Sequence, residues 1–204
     1  MSGDVNLLAD VAVPDVDKDF PDMYMLQIEL QRRLNQLPMD TSDHRHMAHK
    51  SIYWGHCIRA EVEELVEWLS VQTDPTWLKE MQMESIDIVH FVFNLGIEAG
   101  FTDVDIFDIT AAYEHSDWPV QSDRINAAVA ILNKSVINHV NLLHWKTWKT
   151  YNTPPDAEAV YDSFTNIVRA NLMLCNACGL SANGIVNMYF AKNKVNHQRQ
   201  DNGY

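Results

Sequence analysis

The stretch ESIDIVHFVFNLGIEAG (84–100) decides the fold that this sequence predicts. It contains no proline and ends at Gly100, a residue typical of the position just after a helix. At about 100° per residue, five of its six polar side chains fall within an arc of roughly 120°, and most of the remaining surface is Ile, Val, Phe and Leu. We therefore predict a helix over 77–99 that is buried nearly all round. Its polar arc comprises Glu84, Asp87, His90, Asn94 and Glu98.

The carboxylates of this arc indicate a function. A buried helix does not carry carboxylates unless they are paired or bind a metal. The alternative is that the arc is a solvated edge, although such a face usually carries Lys or Arg as well, and this one has neither.

A second acidic pair lies upstream, in EVEE (61–64). Glu61 and Glu64 are three residues apart, as are Glu84 and Asp87, and residues at this spacing share one helix face. Two such helices packed antiparallel would direct four carboxylates at one point. Hard oxygen ligands suit Mg²⁺, which bridges substrate phosphates. The pattern predicts a site for two or more Mg²⁺ ions, with Mn²⁺ as a substitute, and metal-dependent phosphate chemistry.

Other metal sites match the sequence less well. A carboxylate-bridged di-iron bundle needs two Glu-x-x-His motifs, and Asp87-x-x-His90 is the one near match. Cys175 and Cys178 lack the second pair that a zinc site needs, so we predict that they pack in the core. Three histidines of a predicted polar loop remain open as metal ligands: His44, His46 and His49.

Composition limits the class of protein. The chain has 204 residues, 47% of them hydrophobic, which indicates one domain with a sizeable core. Seven glycines and seven prolines are few for an all-β protein, so an all-α fold is predicted. The net charge of −13 argues against general nucleic-acid binding. Three cysteines favour a reducing, cytoplasmic location, and neither a signal peptide nor a membrane span is predicted.

Proline, glycine and apolar spacing predict the order of the elements. An irregular arm (1–22) precedes a half that carries the acidic pairs (23–114), a second half (121–191) and a tail (192–204), all in one domain (1–204). The predicted helices cover 23–36, 50–72, 77–99, 103–114, 121–150 and 156–178, with a last one from Ser181 into the tail.

The two halves resemble each other weakly. Residues 84–112 align without a gap on 163–191, with identities that include Gly100/Gly179 and Ile106/Ile185. A shift of 77 upstream places Trp68 on Trp145. These shifts put neutral residues at all four acidic positions, so we predict a degenerate internal repeat with one acidic site per chain. The neutral counterparts are Asn138, Asn141, Ser163 and Asn166.

Two further sets of side chains could bind a ligand. Lys192, Asn196 and Arg199 are spaced four and three residues apart, so they share a helix face suited to phosphate. Gln31 and Asn35 are four apart, and their amides can donate and accept at the edge of a base. The alternatives are a solubilising basic tail and ordinary surface amides.

Four separated motifs, in this order, resemble the all-α NTP pyrophosphatases, specifically the dimeric dUTPases and related phage dCTPase/dUTPases. They are LQRRLN (30–35), WGHCIRAEVEEL (54–65), ESIDIVHFVFN (84–94) and KNKVNHQRQDNGY (192–204). The resemblance implies a homodimeric helical enzyme that hydrolyses a deoxynucleoside triphosphate, dUTP or also dCTP, to the monophosphate and pyrophosphate. It would work in the cytoplasm, or in the host cytoplasm if it is phage-encoded.

The resemblance also implies roles for single residues. Glu61, Glu64, Glu84 and Asp87 would bind Mg²⁺, and Glu61 would orient or deprotonate the attacking water. Lys192, Asn196 and Arg199 would hold phosphates, with Asp201 supporting the site. The nucleoside contacts would be Gln31, Asn35, Trp54, His90 and Asn94.

One motif occupies a different position along this sequence from its position in the family. WKTWK (145–149) is in the second half, whereas the family has such a stretch just after ExxE, so Lys146 and Lys149 are given no phosphate role. Two rival functions stay open: a house-cleaning pyrophosphatase for another base, and an inactive helical dimer that binds nucleotide.

Overall fold

The structure, a computed structural model, describes residues 19–34, 44–111, 119–146, 149–151 and 153–201. Within these ranges the chain is helical and contains no strand, which confirms the predicted all-α fold. The helices are α1 (Phe20–Arg33), α2 (His44–Ser70), α3 (Trp77–Glu98), α4 (Asp103–Thr110), α5 (Ser122–Leu142), α6 (Ala157–Ala177) and α7 (Ala182–Asp201).

The first two helices begin earlier than predicted. Asp19 and Asp22 form a capping box with Pro21 in the first turn, so α1 starts at Phe20 and the predicted arm (1–22) is wrong at its last residues. Residues 1–18 lie outside the described part. The prediction of a loop at His44, His46 and His49 is also wrong, because α2 already begins at His44. Ala48 in this first part of α2 is buried in a small apolar cluster, which stabilises the extra turns.

Two other helices end earlier than predicted. The helix predicted over 121–150 stops at Leu142, and His144 adopts a left-handed φ of 56° that a continuing helix does not allow. The helix predicted over 103–114 ends at Thr110.

α3 is the central helix, packed against α2 and in contact with α1, α6 and α7. Ile86, Ile88 and Leu95 are fully buried on it, as the apolar surface predicted. Gly96 lies against the ring of Phe164 on α6, since a Cβ atom there would lie 2.4 Å from Cζ of Phe164. This position therefore requires glycine.

The two halves share local geometry at the predicted repeat spacing. Gly100 and Gly179 both have left-handed φ angles, 82° and 83°, and each ends its helix in a Schellman motif. Two residues later, the hydroxyls of Thr102 and Ser181 both accept a hydrogen bond from a backbone N–H three residues on. These paired helix ends support the predicted repeat, while the division of the domain into halves remains a prediction.

Across the described ranges, none of the helices has the length and apolar character that crossing a membrane requires.

Candidate functional site

Three carboxylates converge where α2 packs on α3. Glu61 comes from α2, and Glu84 and Asp87 come from one face of α3. One oxygen from each lies within 4.8 Å of the other two. The spacing of the two acidic pairs thus brings together three of the four residues that it singled out, and all three are half-buried.

Glu64 lies at the edge of this cluster. Its side chain is exposed and outside the three-residue group, yet its charge raises the pKa values of Glu61 and Glu84. Residues three apart on a helix differ by about 60° around the axis, so one member of the pair faces inward more than the other. Glu64 as a metal ligand remains a prediction.

The carboxylates repel one another in a partly desolvated site. Burial, followed by the charges of Asp87 and Glu64, raises the pKa of Glu61 to about 7. Burial and its acidic neighbours raise the pKa of Glu84 to about 8. The hydrogen bond between the two carboxyl groups also lowers the pKa of Glu61 and raises that of Glu84. The cluster therefore favours binding of positive charge.

Lys192 supplies part of that charge from α7. Its Nζ donates to Oδ2 of Asp87 at 2.8 Å, and the two side chains are 15% and 20% exposed. Burial raises the pKa of Asp87, whereas Lys192 and then Arg199 oppose this shift. Two of the three predicted phosphate contacts thus act electrostatically on the carboxylate cluster.

The donor set fits a hard divalent cation. The cluster offers carboxylate oxygens alone, the ligands that Mg²⁺ prefers. A divalent ion would also relieve the repulsion that raises the pKa values of Glu61 and Glu84.

The end of α7 is held by α1. Arg33 forms an ion pair with Asp201, and its guanidinium also hydrogen-bonds His197. Asp201 thus contacts α1 through Arg33, which was not among the predicted site residues. Asn196, on the same helix, is half-buried.

A buried polar network lies one helical turn from the carboxylates. Nδ1–H of His90 and O–H of Tyr189 both donate to Oε1 of Gln27, at 2.8 and 2.7 Å. Nε2–H of Gln27 donates to Oδ1 of Asn94 at 2.7 Å. The solvated-edge interpretation of the arc is wrong here, because His90 and Asn94 are buried and Glu98 is 2% exposed.

Gln27 and Tyr189, like Arg33, are residues of the site that sequence reasoning missed. Gln27 lies four residues before Gln31, so extending the Gln31/Asn35 spacing by one helical turn would have found it. Tyr189 lies three residues before Lys192, on the same face of α7. Asn193 is a buried polar residue four positions after Tyr189, so this helical spacing could have indicated the role of Tyr189.

Of the other predicted nucleoside contacts, two are buried and one lies outside the described residues. Trp54 is buried and stacks on Phe91, with ring centroids 5.8 Å apart. Its Nε1–H has no hydrogen-bond partner among the described residues. Gln31 is also buried, and Asn35 lies outside the described residues.

The second half uses its neutral counterparts for local hydrogen bonds. Ser163, at the repeat position of Glu84, accepts a hydrogen bond from the His139 ring at 2.8 Å. Asn141 accepts one from the indole of Trp145 at 2.9 Å. Lys146 lies with Nζ 5.7 Å from the ring centroid of Trp145. Cys175 and Cys178 are buried free thiols, as core packing predicted.

A family model described as dUTPase matches residues 19–204. No curated protein and no solved structure matches the chain. The matched range includes the acidic cluster, the buried network and α7.

Proposed function

The chain belongs to the dUTPase family, and from this premise we propose that it hydrolyses dUTP to dUMP and pyrophosphate at the cluster of Glu61, Glu84 and Asp87. The main support for this proposal is that these three carboxylates converge and that Lys192 contacts one of them. A polyanionic substrate needs both features, since metal ions offset the cluster's own charge and the lysine faces the phosphates.

We propose Mg²⁺ as the metal, two or more ions per site, with Glu64 as a fourth ligand and Mn²⁺ as a substitute. When bound, the metal would lower the pKa of a water molecule and neutralise charge on the phosphate chain. Glu61 would orient this water and accept its proton.

The phosphate chain would lie along α7. Lys192, Asn196 and Arg199 face the same side of this helix, and both cations already act on Asp87. Charge-assisted hydrogen bonds from these cations would hold the triphosphate. Asp201 would support the site indirectly, through its ion pair with Arg33.

The nucleoside would contact side chains of α1, α2 and α3 beside the cluster. Trp54 offers an aromatic surface and an unpartnered N–H within the described residues. The amides can present a donor or an acceptor to the base, which is why we propose dCTP as a second substrate. The proposed nucleoside contacts are Gln31, Asn35, Trp54, His90 and Asn94, and the proposed assembly is a homodimer in a reducing cytoplasm.

Pyrophosphate release tests the proposal. The protein is incubated with Mg²⁺ and, separately, dUTP, dCTP, dATP, dGTP, dTTP and UTP. Release from dUTP, with or without dCTP, is the expected result. Release from another base alone would instead indicate a house-cleaning pyrophosphatase, and no release from any would indicate an inactive nucleotide-binding dimer.

Substitutions test the site itself. Glu61→Gln and Asp87→Asn should abolish turnover while the helical circular dichroism stays nearly unchanged. Glu63→Gln is the matched control, because Glu63 is exposed on the same helix and pairs with Arg59. Turnover within about tenfold of the unmodified protein in either site variant would refute the assignment.

A further inference from the structure

Gln27 joins three helices through one side chain. It extends from α1 and forms hydrogen bonds with His90 and Asn94 of α3 and with Tyr189 of α7. The residue is 2% exposed, so these bonds form away from competing water. Buried polar groups linked in this way hold their elements in one arrangement, since a shift would leave several of them unsatisfied.

The helices that Gln27 joins are those that bring Lys192 to Asp87. Asp87 meets Lys192 at 2.8 Å, and one turn away His90 stacks on Tyr189 with ring centroids 4.1 Å apart. His90 follows Asp87 by three residues, and Tyr189 precedes Lys192 by three. These are two successive contacts between antiparallel helices, so the register of one fixes the register of the other.

We propose that Gln27 is a positioning residue, which sets the register of α3 and α7 and thereby holds Lys192 at the carboxylate cluster. The inference rests on the proposed function, in which Lys192 faces the phosphates. A one-residue slip of α7 would move Lys192 by about 1.5 Å along the axis and rotate it by about 100°. Either displacement breaks a 2.8 Å contact.

The network specifies glutamine chemically. Its oxygen accepts from His90 and Tyr189, and its amide donates to Asn94. A glutamate has no N–H to donate, a leucine of similar size offers neither group, and an asparagine is one methylene shorter. Gln27 reaches the catalytic cluster only through other residues, so its effect on kcat should pass through Lys192, whereas an effect through the proposed nucleoside contacts His90 and Asn94 should change KM.

Gln27→Leu tests this role. Displacements of about 1 Å at a reacting centre cost on the order of 100-fold, so we expect kcat for dUTP to fall at least about tenfold. Tyr24→Phe is the matched control, because it removes another hydrogen bond of α1, a partly buried one to the carbonyl of Phe101. This control should lower the melting temperature while kcat stays within about threefold of the unmodified protein.

A double-mutant cycle with Lys192→Met separates positioning from general stability. If Gln27 acts through Lys192, Gln27→Leu should change kcat by less than about threefold in the Lys192→Met background. Additive effects in the cycle, an unchanged kcat, or a rise in KM alone would overturn the inference. If Gln27→Leu does not fold, Tyr189→Phe removes one of the three hydrogen bonds and takes its place in the cycle. An unmodified protein that releases no pyrophosphate refutes the proposed function instead.

Discussion

Lys192→Met should destabilise the metal-free protein and strengthen its response to Mg²⁺. The Nζ–Oδ2 contact with Asp87 is 2.8 Å long between side chains that are 15% and 20% exposed. Hydrogen bonds to charged groups contribute about 1.5–3 kcal/mol to the free energy of unfolding, and a partly buried pair falls near 2 kcal/mol. In a chain of this size, about 2 kcal/mol corresponds to a fall of about 4–8 °C in Tm.

Magnesium should reverse much of this loss. With Lys192 gone, Glu61, Glu84 and Asp87 lose the cation that contacts them, so a divalent ion gains more by binding to them. Tm is measured by circular dichroism in EDTA and in saturating Mg²⁺ for the unmodified protein and the variant. Lys194→Met is the control, since Lys194 is exposed on the same helix and should change Tm by less than about 2 °C.

Two results would refute the reasoning. A Tm in EDTA that matches that of the unmodified protein would mean that the contact with Asp87 contributes no stability. A Mg²⁺-induced rise in Tm no larger in Lys192→Met than in the unmodified protein would mean that the metal does not bind beside Lys192.

Three further perturbations test other parts of the structure. Burial lowers the pKa of His139 to about 4, so on acidification the unfolded chain takes up a proton at this residue before the folded protein does, and the free energy of unfolding falls as the pH drops from about 6.5 to 4. His139→Asn should remove up to about 3 kcal/mol of this fall, measured by urea unfolding at pH 7 and 4.5. An unchanged difference between the two pH values would contradict the lowered pKa of His139. Gly96→Ala should cost about 1–3 kcal/mol in the same assay, because its Cβ would lie 2.4 Å from Cζ of Phe164. A neutral result would show that the ring of Phe164 shifts aside easily. Arg33→Met should lower Tm by less than about 4 °C, because its ion pair with Asp201 is largely exposed. The same variant should raise KM for dUTP, because the end of α7 is no longer held by α1. An unchanged KM would exclude a role of Arg33 in supporting the substrate site.

The fold was predictable where one local signal was strong. The helix predicted over 77–99 is observed as Trp77–Glu98, because Gly100 provides the left-handed residue that ends it. The helix predicted to continue to residue 150 ends at Leu142, and the residue with left-handed φ there is His144. No glycine or proline marks this end, so spacing and composition could not locate it.

The charged residues of the site were predictable from the sequence, whereas the residues that position them were less predictable. Helical spacing grouped Glu61, Glu84 and Asp87, since carboxylates on apolar helices need a partner. Gln27 is a single amide whose partners lie 63 to 162 residues away in sequence. Its importance comes from the packing of three helices, which no local sequence pattern indicates.

The separation in sequence between Asp87 and Lys192 has a consequence for synthesis. The two residues are 105 positions apart, so at about 5–20 residues per second the lysine is made about 5–20 s after the aspartate. During that interval the nascent α2 and α3 carry their carboxylates without this counter-charge. An ion can therefore reach Asp87 before Lys192 has been made, and the relative affinities of the two then decide which of them stays.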